Sequence, residues 1–326
     1  MSSTVVETKV IENVVWSACR APSLYNIQPW QWVFGGGQLR LFLDPSRVTD
    51  TDQSAREALI GCGAALDHLR VAAAAAGWRA HIDRFPMPDS PNHLASIEFA
   101  RMDCVTDEDR RRAGAIWKRH TDRLPFSAPT DWESFEPRLN SAVDAATVHL
   151  DILPGDARPR LREAAQIAES LRFYDVPYNN ELHWWTAPFE ASEGIPYSAL
   201  VSAAEGGRVG IDRAFPVTHQ PERRAEIPED QGQILVLSTD NSARADALAS
   251  GEALSAVLLE CTMAGLATCP VTQLTELYVT RELIQSLLDH DAVPQVLVRV
   301  GVVPVTEKKS PPTPRRPLSE VLRLKS

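Results

Sequence analysis

The chain has 326 residues, 44% of them hydrophobic and 23% charged, which is the composition of a folded globular protein and excludes a disordered one. Its 43 acidic and 33 basic side chains leave a net charge of −10, which works against broad capture of nucleic acid or an anionic membrane, although a few local arginines could still grip a small anion. The five cysteines, odd in number and without CxxC spacing, argue against a disulfide scaffold or a structural zinc site.

At roughly 150 residues per domain the length suggests two units. The opening MSSTVVETKVIENVV has neither the basic start nor the apolar stretch of a signal peptide. No segment supplies the roughly 18 consecutive apolar residues needed to span a bilayer, so a cytoplasmic location is expected. Residues 19–34 read CRAPSLYNIQPWQWVF. A proline-bounded loop here exposes the Ser23 hydroxyl and the Asn26 amide, after which Trp30, Trp32 and Phe34 alternate as on a strand. Serine and asparagine together offer donors and acceptors, which suits a heterocycle or a ribityl chain. The same residues would equally serve a plain turn in which Ser23 caps and Asn26 is left-handed.

A strand-like QLRLFLD (38–44) precedes a long helical pattern, ALDHLRVAAAAAGWRA (65–80), and HLASIEFAR (93–101) follows as another strand. Residues 106–126 read as a helix that begins acidic and turns basic. Within its last residues, KRHTDRLPF, an extended backbone would place Arg119, Thr121 and Arg123 in one polar row, a reasonable grip for a phosphate and for an electron-rich ring edge. Residues 174–232 have little period and are rich in Pro, Gly and aromatics; Tyr178, Trp184, Trp185, Phe189 and Tyr197 favour a packed lid over a free linker. His183 in this segment is a candidate proton donor, and a structural role fits it as well. QILVLS (233–238), ALSAVLLECTMAGLAT (253–268) and PQVLVRVGVV (294–303) then repeat the order strand, buried helix, strand, and a Pro-rich basic tail closes the chain (308–326).

The two helical patterns share Ala65 with Ala253, Leu66 with Leu254, Ala76 with Ala264 and Gly77 with Gly265, the glycines ending each helix. Identity and element order together indicate an internal duplication, with mixed sheets covered by helices on both faces.

APSLYNIQPW resembles the PSxxNxQPW loop of the FMN-dependent nitroreductase superfamily, and KRHTDRLPF is similar to that family's RRSxRxF motif, with Thr121 in the serine position. GLATCPVTQL (265–274) resembles the segment that presents a backbone N–H to flavin N5, and PPTPRRPLSEVL (311–322) the C-terminal R-x-PL-x-EV pattern. The resemblance implies an α+β nitroreductase-like fold in α/β/α layers. It implies an FMN site built from Pro22, Ser23 and Asn26; from Arg119, Thr121 and Arg123; from Cys269, Pro270, Val271 and Thr272; and from Arg315 or Arg316. Arg119 and Thr121 would reach the phosphate and ribityl chain, and Arg123 the pyrimidine edge. Cys269 has no evident histidine or acid partner for a nucleophilic role.

In ordinary members the site is shared between two subunits. Here the loop occurs only in the first half (1–105) and the other three motifs only in the second (106–326, containing the 174–232 insertion). One FMN per chain, in a monomer that is an internal pseudo-dimer, is therefore expected. The layout is most similar to the Acg-type branch, which is linked to hypoxic dormancy in actinobacteria and in which the insertion would cover the flavin. The implied activity is NAD(P)H-dependent electron transfer to nitroaromatic or quinone acceptors, the alternative being a covered FMN store without turnover. No catalytic acid or base is assigned, since hydride transfer to a flavin does not demand one from the protein.

Overall fold

The computed structural model describes residues 6–187, 192–216, 218–304 and 312–325. Helix α1 (Thr8–Ala18) leads through the 19–29 loop into the hairpin β1 (Trp30–Gly35) and β2 (Gln38–Leu43). The long helix α2 (Arg56–Ala75) follows, then strands β3 (Trp78–Arg84) and β4 (His93–Arg101). Helices α3 (Asp107–Lys118) and α4 (Trp132–Ala142), strand β5 (His149–Leu153) and helix α5 (Arg158–Arg172) lead into helices α6 (Val176–Trp185) and α7 (Ala203–Val209). Then come β6 (Gln233–Thr239), a second long helix α8 (Arg244–Met263), β7 (Ala267–Val271), the short α9 (Gln273–Glu276), α10 (Tyr278–Gln285) and β8 (Val293–Gly301). A C-terminal arm ends in α11 (Leu318–Val321) and β9 (Leu322–Leu324).

The strands form two sheets, ordered β3-β4-β2-β1-β9 and β5-β6-β8-β7. Read from the other end, the second sheet runs β7-β8-β6-β5, so its four strands follow one another in space as β3, β4, β2 and β1 do. Both sheets are antiparallel within these four strands, and both carry a register shift at the same place in the second pair, between Leu41 and Phe42 and between Leu237 and Ser238. The arm follows the second sheet in sequence, yet β9 pairs in parallel with β1 of the first sheet, Trp32 opposite Leu322.

Helices α2 and α8 lie against each other at the centre. A Cβ at Gly63 would collide with the Leu248 carbonyl, and one at Gly251 with the Ile60 carbonyl. These reciprocal contacts have the same sequence offset as Ala65 and Ala253. The Ser255 hydroxyl donates to Asp67 across the seam at 2.6 Å. One hydrophobic core runs through both sheets and both helices, from Leu39 and Leu66 to Leu235 and Leu258. Helix α2 has the length and hydropathy of a membrane span, but 83% of that window is buried inside the protein, as a core helix requires.

Three expectations need correction. The helical patterns over 65–80 and 253–268 are offset: the helices start earlier, at Arg56 and Arg244, and residues 78–80 and 267–268 are already strand, while Gly77 (φ +81°) and Gly265 (φ +78°) turn the chain left-handed and end each helix as expected. The helix over 106–126 stops at Lys118; a Thr106–Asp109 capping box fixes its start, and 119–126 is extended. The insertion is less irregular than its composition suggests, since it holds α6, capped by Asp175, and α7, capped by the reciprocal pair Ser202 and Glu205. That S-x-x-E spacing was the available signal. Of the insertion's aromatics, Tyr178 is buried and Trp185 packs against the same cluster, whereas Trp184 and Tyr197 are exposed. Phe189 lies outside the described residues.

Candidate functional site

The 19–29 loop is held in an unusual backbone: Tyr25, Asn26 and Gln28 all have φ between +48° and +59°. Left-handed non-glycine residues are strained by roughly 1–2 kcal/mol each and gather where a site demands them. Here the strain is fixed by side chains. The Gln28 N–H donates to Ser23 Oγ at 3.0 Å, and Gln28 Nε2 donates to the Ser192 carbonyl at 2.8 Å. Asn26 Nδ2 donates to the Gly194 and Pro314 carbonyls, both at 3.1 Å. The loop thereby ties the insertion and the C-terminal arm together. Tyr25 and Ile27 pack with Tyr178, Leu182, Ile195 and Leu200 of the insertion.

Beside this loop lies a cleft of about 90 Å³. Its first wall is Pro22, Ser23 and Tyr25 with Glu57 and Gly61 from the start of α2; its floor is Thr121 and Arg123 with Pro270, Val271 and Thr272. The outer wall is Ile195, Arg213 and Phe215 from the insertion. The floor forms because the 119–126 segment runs alongside the start of β7: the Asp122 N–H donates to the Thr268 carbonyl at 2.9 Å, and Thr121 forms a parallel bridge to Thr268. Alternation then aims Thr121 and Arg123 at the cleft, while Asp122 turns away to pair with Arg224 at 2.6 Å. The Arg123 guanidinium stands 5.1 Å over the Phe215 ring.

The third member of that row, Arg119, is 6% exposed and lies with two other guanidiniums. Arg315 donates to the Cys19, Arg20 and Ala21 carbonyls at 2.9–3.2 Å, and Arg20 donates to the Thr313 carbonyl at 3.0 Å. Among the described residues none of the three pairs with a carboxylate, and Arg20 Nε and Arg119 Nε and Nη1 are buried without a partner. Burial and then the Arg20 charge push Arg119 down to about 10; burial and then the Arg20 and Arg119 charges push Arg315 well below its ordinary value. Three like charges, one buried and two half-buried, with spare donors on Arg20 and Arg119, fit a compact anion such as a phosphate.

A second cavity of about 860 Å³ lies behind Arg213 and Phe215. It is the larger of the two, but its arginines are already paired, Arg162 with Glu229, Arg172 with Asp175 and Arg213 with Glu276. It also contains none of the FMN-site candidates named from sequence.

The structure thus brings Pro22, Ser23, Thr121, Arg123, Pro270, Val271 and Thr272 to one cleft, and Arg119 with Arg315 to an arginine cluster at the far end of the same extended segment. It leaves three candidates outside. Asn26 spends its amide on Gly194 and Pro314, though its Oδ1 is buried and unpartnered. Cys269 points into the core beside Leu297, where burial pushes its thiol up to about 12. Arg316 turns to Glu320 and the Gln28 carbonyl. His183 is exposed and bonds to the Asn179 carbonyl, off the cleft.

Sequence reasoning missed Arg20, Glu57 and Arg213. Arg20 adjoins the Pro-Ser motif, which was a usable hint. Arg213 comes from within the insertion; it donates to the Tyr178 hydroxyl at 2.7 Å and pairs with Glu276, which accepts from Thr272 Oγ1 at 3.0 Å. Glu57 is buried against Arg56, and burial pushes its carboxyl up to about 8.

No family model matches the chain. It is 53% identical over 327 residues to a Mycobacterium tuberculosis protein provisionally named NAD(P)H nitroreductase acg, covering 100% of this chain and 99% of that one. It is 48% identical over 321 residues to the uncharacterized protein Rv3127 of the same organism, covering 97% and 93%. In fold it is similar to the crystal structure of a provisionally assigned nitroreductase from Anabaena variabilis, with a TM-score of 0.57, 9% identity and coverage of 90% and 87%.

Proposed function

The chain belongs to the nitroreductase family, on the same branch as acg, and on that premise we propose that it binds one FMN and acts as an NAD(P)H-dependent flavin oxidoreductase toward nitroaromatic or quinone acceptors. The observation that carries this reading is the cluster of Arg20, Arg119 and Arg315, whose unpartnered donors lie at one end of an extended row that continues into the cleft. Four residues of extended chain span about 13 Å. A phosphate at Arg119 therefore leaves the ribityl chain along Thr121 and Ser23 and the ring beside Arg123 and 270–272. FMN, when bound, supplies a two-electron carrier that takes hydride from a reduced nicotinamide and passes it to the acceptor. The chain's own part is to hold and shield: the arginine cluster binds the phosphate, Arg123 sets a positive charge beside the ring, and Phe215 and Ile195 exclude water from it.

The corresponding strand orders and the reciprocal α2–α8 seam support two halves, 1–105 and 106–326, closed on each other in a monomer. The position in the second half that answers to the 22–28 loop, between α4 and β5, reads VDAATV (143–148) and lacks the PSxxN pattern, which favours a single site. Reconstitution tests this directly. One FMN is expected per chain, with NADPH oxidation by a nitroaromatic acceptor faster than free FMN allows. A chain that retains no flavin would falsify the proposal, and two flavins per chain would overturn the single-site layout.

A second reading, a covered FMN store, is favoured by one observation: the insertion forms the outer wall and is fastened down by Arg213–Glu276, Arg47–Glu193 and Thr51–Glu181. It predicts bound flavin that NADPH reduces no faster than it reduces free FMN. Rapid reduction of the intact protein rules it out.

A further inference from the structure

Reduction of a flavin by two electrons leaves the ring with one proton at N5 and a negative charge over its pyrimidine side, and the final acceptor needs a proton in addition to the hydride. The ionisable side chains lining the cleft are Tyr25, Glu57, Arg123, Asp212 and Arg213. Burial pushes the Tyr25 phenol far up, out of the working range, and the guanidiniums are charged donors that keep their protons. Asp212 accepts from the Arg213 N–H at 2.9 Å and faces Arg299 at 4.0 Å. Glu57 differs in place and environment. It sits in the first turn of α2, 4% exposed, with its hydrogen bond from an Arg56 guanidinium that is shared with the Gln295 and Thr275 carbonyls.

The charges that act on it are Arg56 on its own helix, Asp52 ahead of α2, Arg213 of the 174–232 segment, Glu276 of α9 and Arg281 of α10, and Arg123 and Asp212 line the same cleft. Desolvation is the largest influence and raises its carboxyl; Glu276 and Asp52 raise it further, while Arg56 and Arg213 pull it back. A carboxyl so placed changes its protonation when a negative charge appears beside it.

We propose that Glu57 is the proton-holding residue of the flavin site, taking a proton from solvent as the bound flavin gains two electrons and releasing it to the acceptor on reoxidation. In the forward half, at a pH where Glu57 is ionised beside the oxidised flavin, two electrons and one proton would enter the flavin while the Glu57 carboxylate takes one proton from water. In the return half, hydride leaves N5 for a quinone and the Glu57 proton completes the hydroquinone, restoring the carboxylate and the oxidised ring. This rests on the flavin reading above.

The test is the midpoint potential of FMN-loaded protein over roughly pH 6 to 10, a window that brackets raised carboxyls. Where Glu57 is ionised beside the oxidised flavin and neutral beside the reduced one, two protons instead of one accompany two electrons and the pH slope doubles. The expected result is a doubled slope in the wild type on the alkaline side of the window, where Glu57 is ionised beside the oxidised flavin, absent in Glu57→Gln and retained in Glu57→Asp. In Glu276→Gln the onset moves to lower pH, because a neighbouring negative charge is gone. A reduced-minus-oxidised infrared difference spectrum should also gain a protonated-carboxyl band that Glu57→Gln lacks. Equal slopes in wild type and Glu57→Gln overturn the proposal and leave the flavin reading standing. A chain that takes up no FMN overturns both.

Discussion

A guanidinium with two buried, unpartnered nitrogens and a second positive charge beside it is a burden to the free chain, and Arg119 is in that position. Among the described residues the one hydrogen bond of its side chain, to the Arg20 carbonyl, is 3.5 Å long. Because its folded pKa of about 10 lies under the ordinary guanidinium value, the native state disfavours the charged form. The penalty is fully in force below pH 10 and disappears only as pH rises through and beyond it. Replacing it should therefore stabilise the flavin-free protein while weakening ligand binding. For Arg119→Gln we expect the Tm of the FMN-free form to rise by roughly 2–4 °C, a gain near 1 kcal/mol. FMN affinity should fall by about ten- to a hundredfold, since a charge-assisted hydrogen bond contributes about 1.5–3 kcal/mol. Thermal melts with and without FMN check both signs at once, and a lower Tm in the free form would make Arg119 a structural residue. Alternation in an extended segment made this arginine legible from sequence, together with Thr121 and Arg123. Glu57 was not legible, because an acidic residue in the first turn of a helix has an ordinary explanation in the helix dipole. Only the fold reveals that this turn faces a cleft.

At the level of elements, the α2–α8 seam was half visible. The shared Ala-Leu and Ala-Gly positions marked both helices as central, but Gly63 and Gly251 carried no sequence signal, since their role depends on another helix crossing at that point. Both backbones approach so closely that a methyl group at either position meets a carbonyl oxygen of the partner helix. Overpacking of a rigid seam costs about 1–3 kcal/mol, and an added helix propensity near 1 kcal/mol offsets part of it. Gly63→Ala and Gly251→Ala should each destabilise the chain by up to about 2 kcal/mol, and by similar amounts because the contacts are reciprocal. Denaturant midpoints measured on both variants check this; a stabilised variant at either position would mean that the helices can move apart. Gly114 in α3 is the control, since a Cβ there meets nothing within 4 Å and Gly114→Ala should stabilise by the propensity gain alone. The helix ends were legible by contrast: Gly77 and Gly265 take the positive φ that stops each helix, and strand begins just beyond.

For the molecule as a whole, the cleft and the insertion set the rate at which a ligand can enter. Ligand pockets usually offer about 300 Å³ or more, whereas this cleft holds about 90 Å³ with Ile195 and Phe215 as its outer wall. Seating a three-ring ligand therefore requires that wall to move outward, and the wall is tied to the first sheet's side of the molecule by Arg47–Glu193 and by Thr51 donating to Glu181. Binding that waits on an opening step saturates: the observed association rate should level off as FMN concentration rises, at a plateau equal to the opening rate. Weakening the ties speeds opening more than it changes the bound contacts, because neither Arg47 nor Thr51 lines the cleft. Arg47→Ala with Thr51→Val should raise the plateau about tenfold. Two partly buried ties together contributing roughly 1–2 kcal/mol to the closed state support that magnitude. Equilibrium affinity should change by less, since release accelerates along with entry. Stopped-flow quenching of flavin fluorescence resolves the two cases. A rate that climbs in proportion to FMN at every concentration, in wild type and variant alike, would mean that the wall is already open and that the insertion governs neither entry nor release.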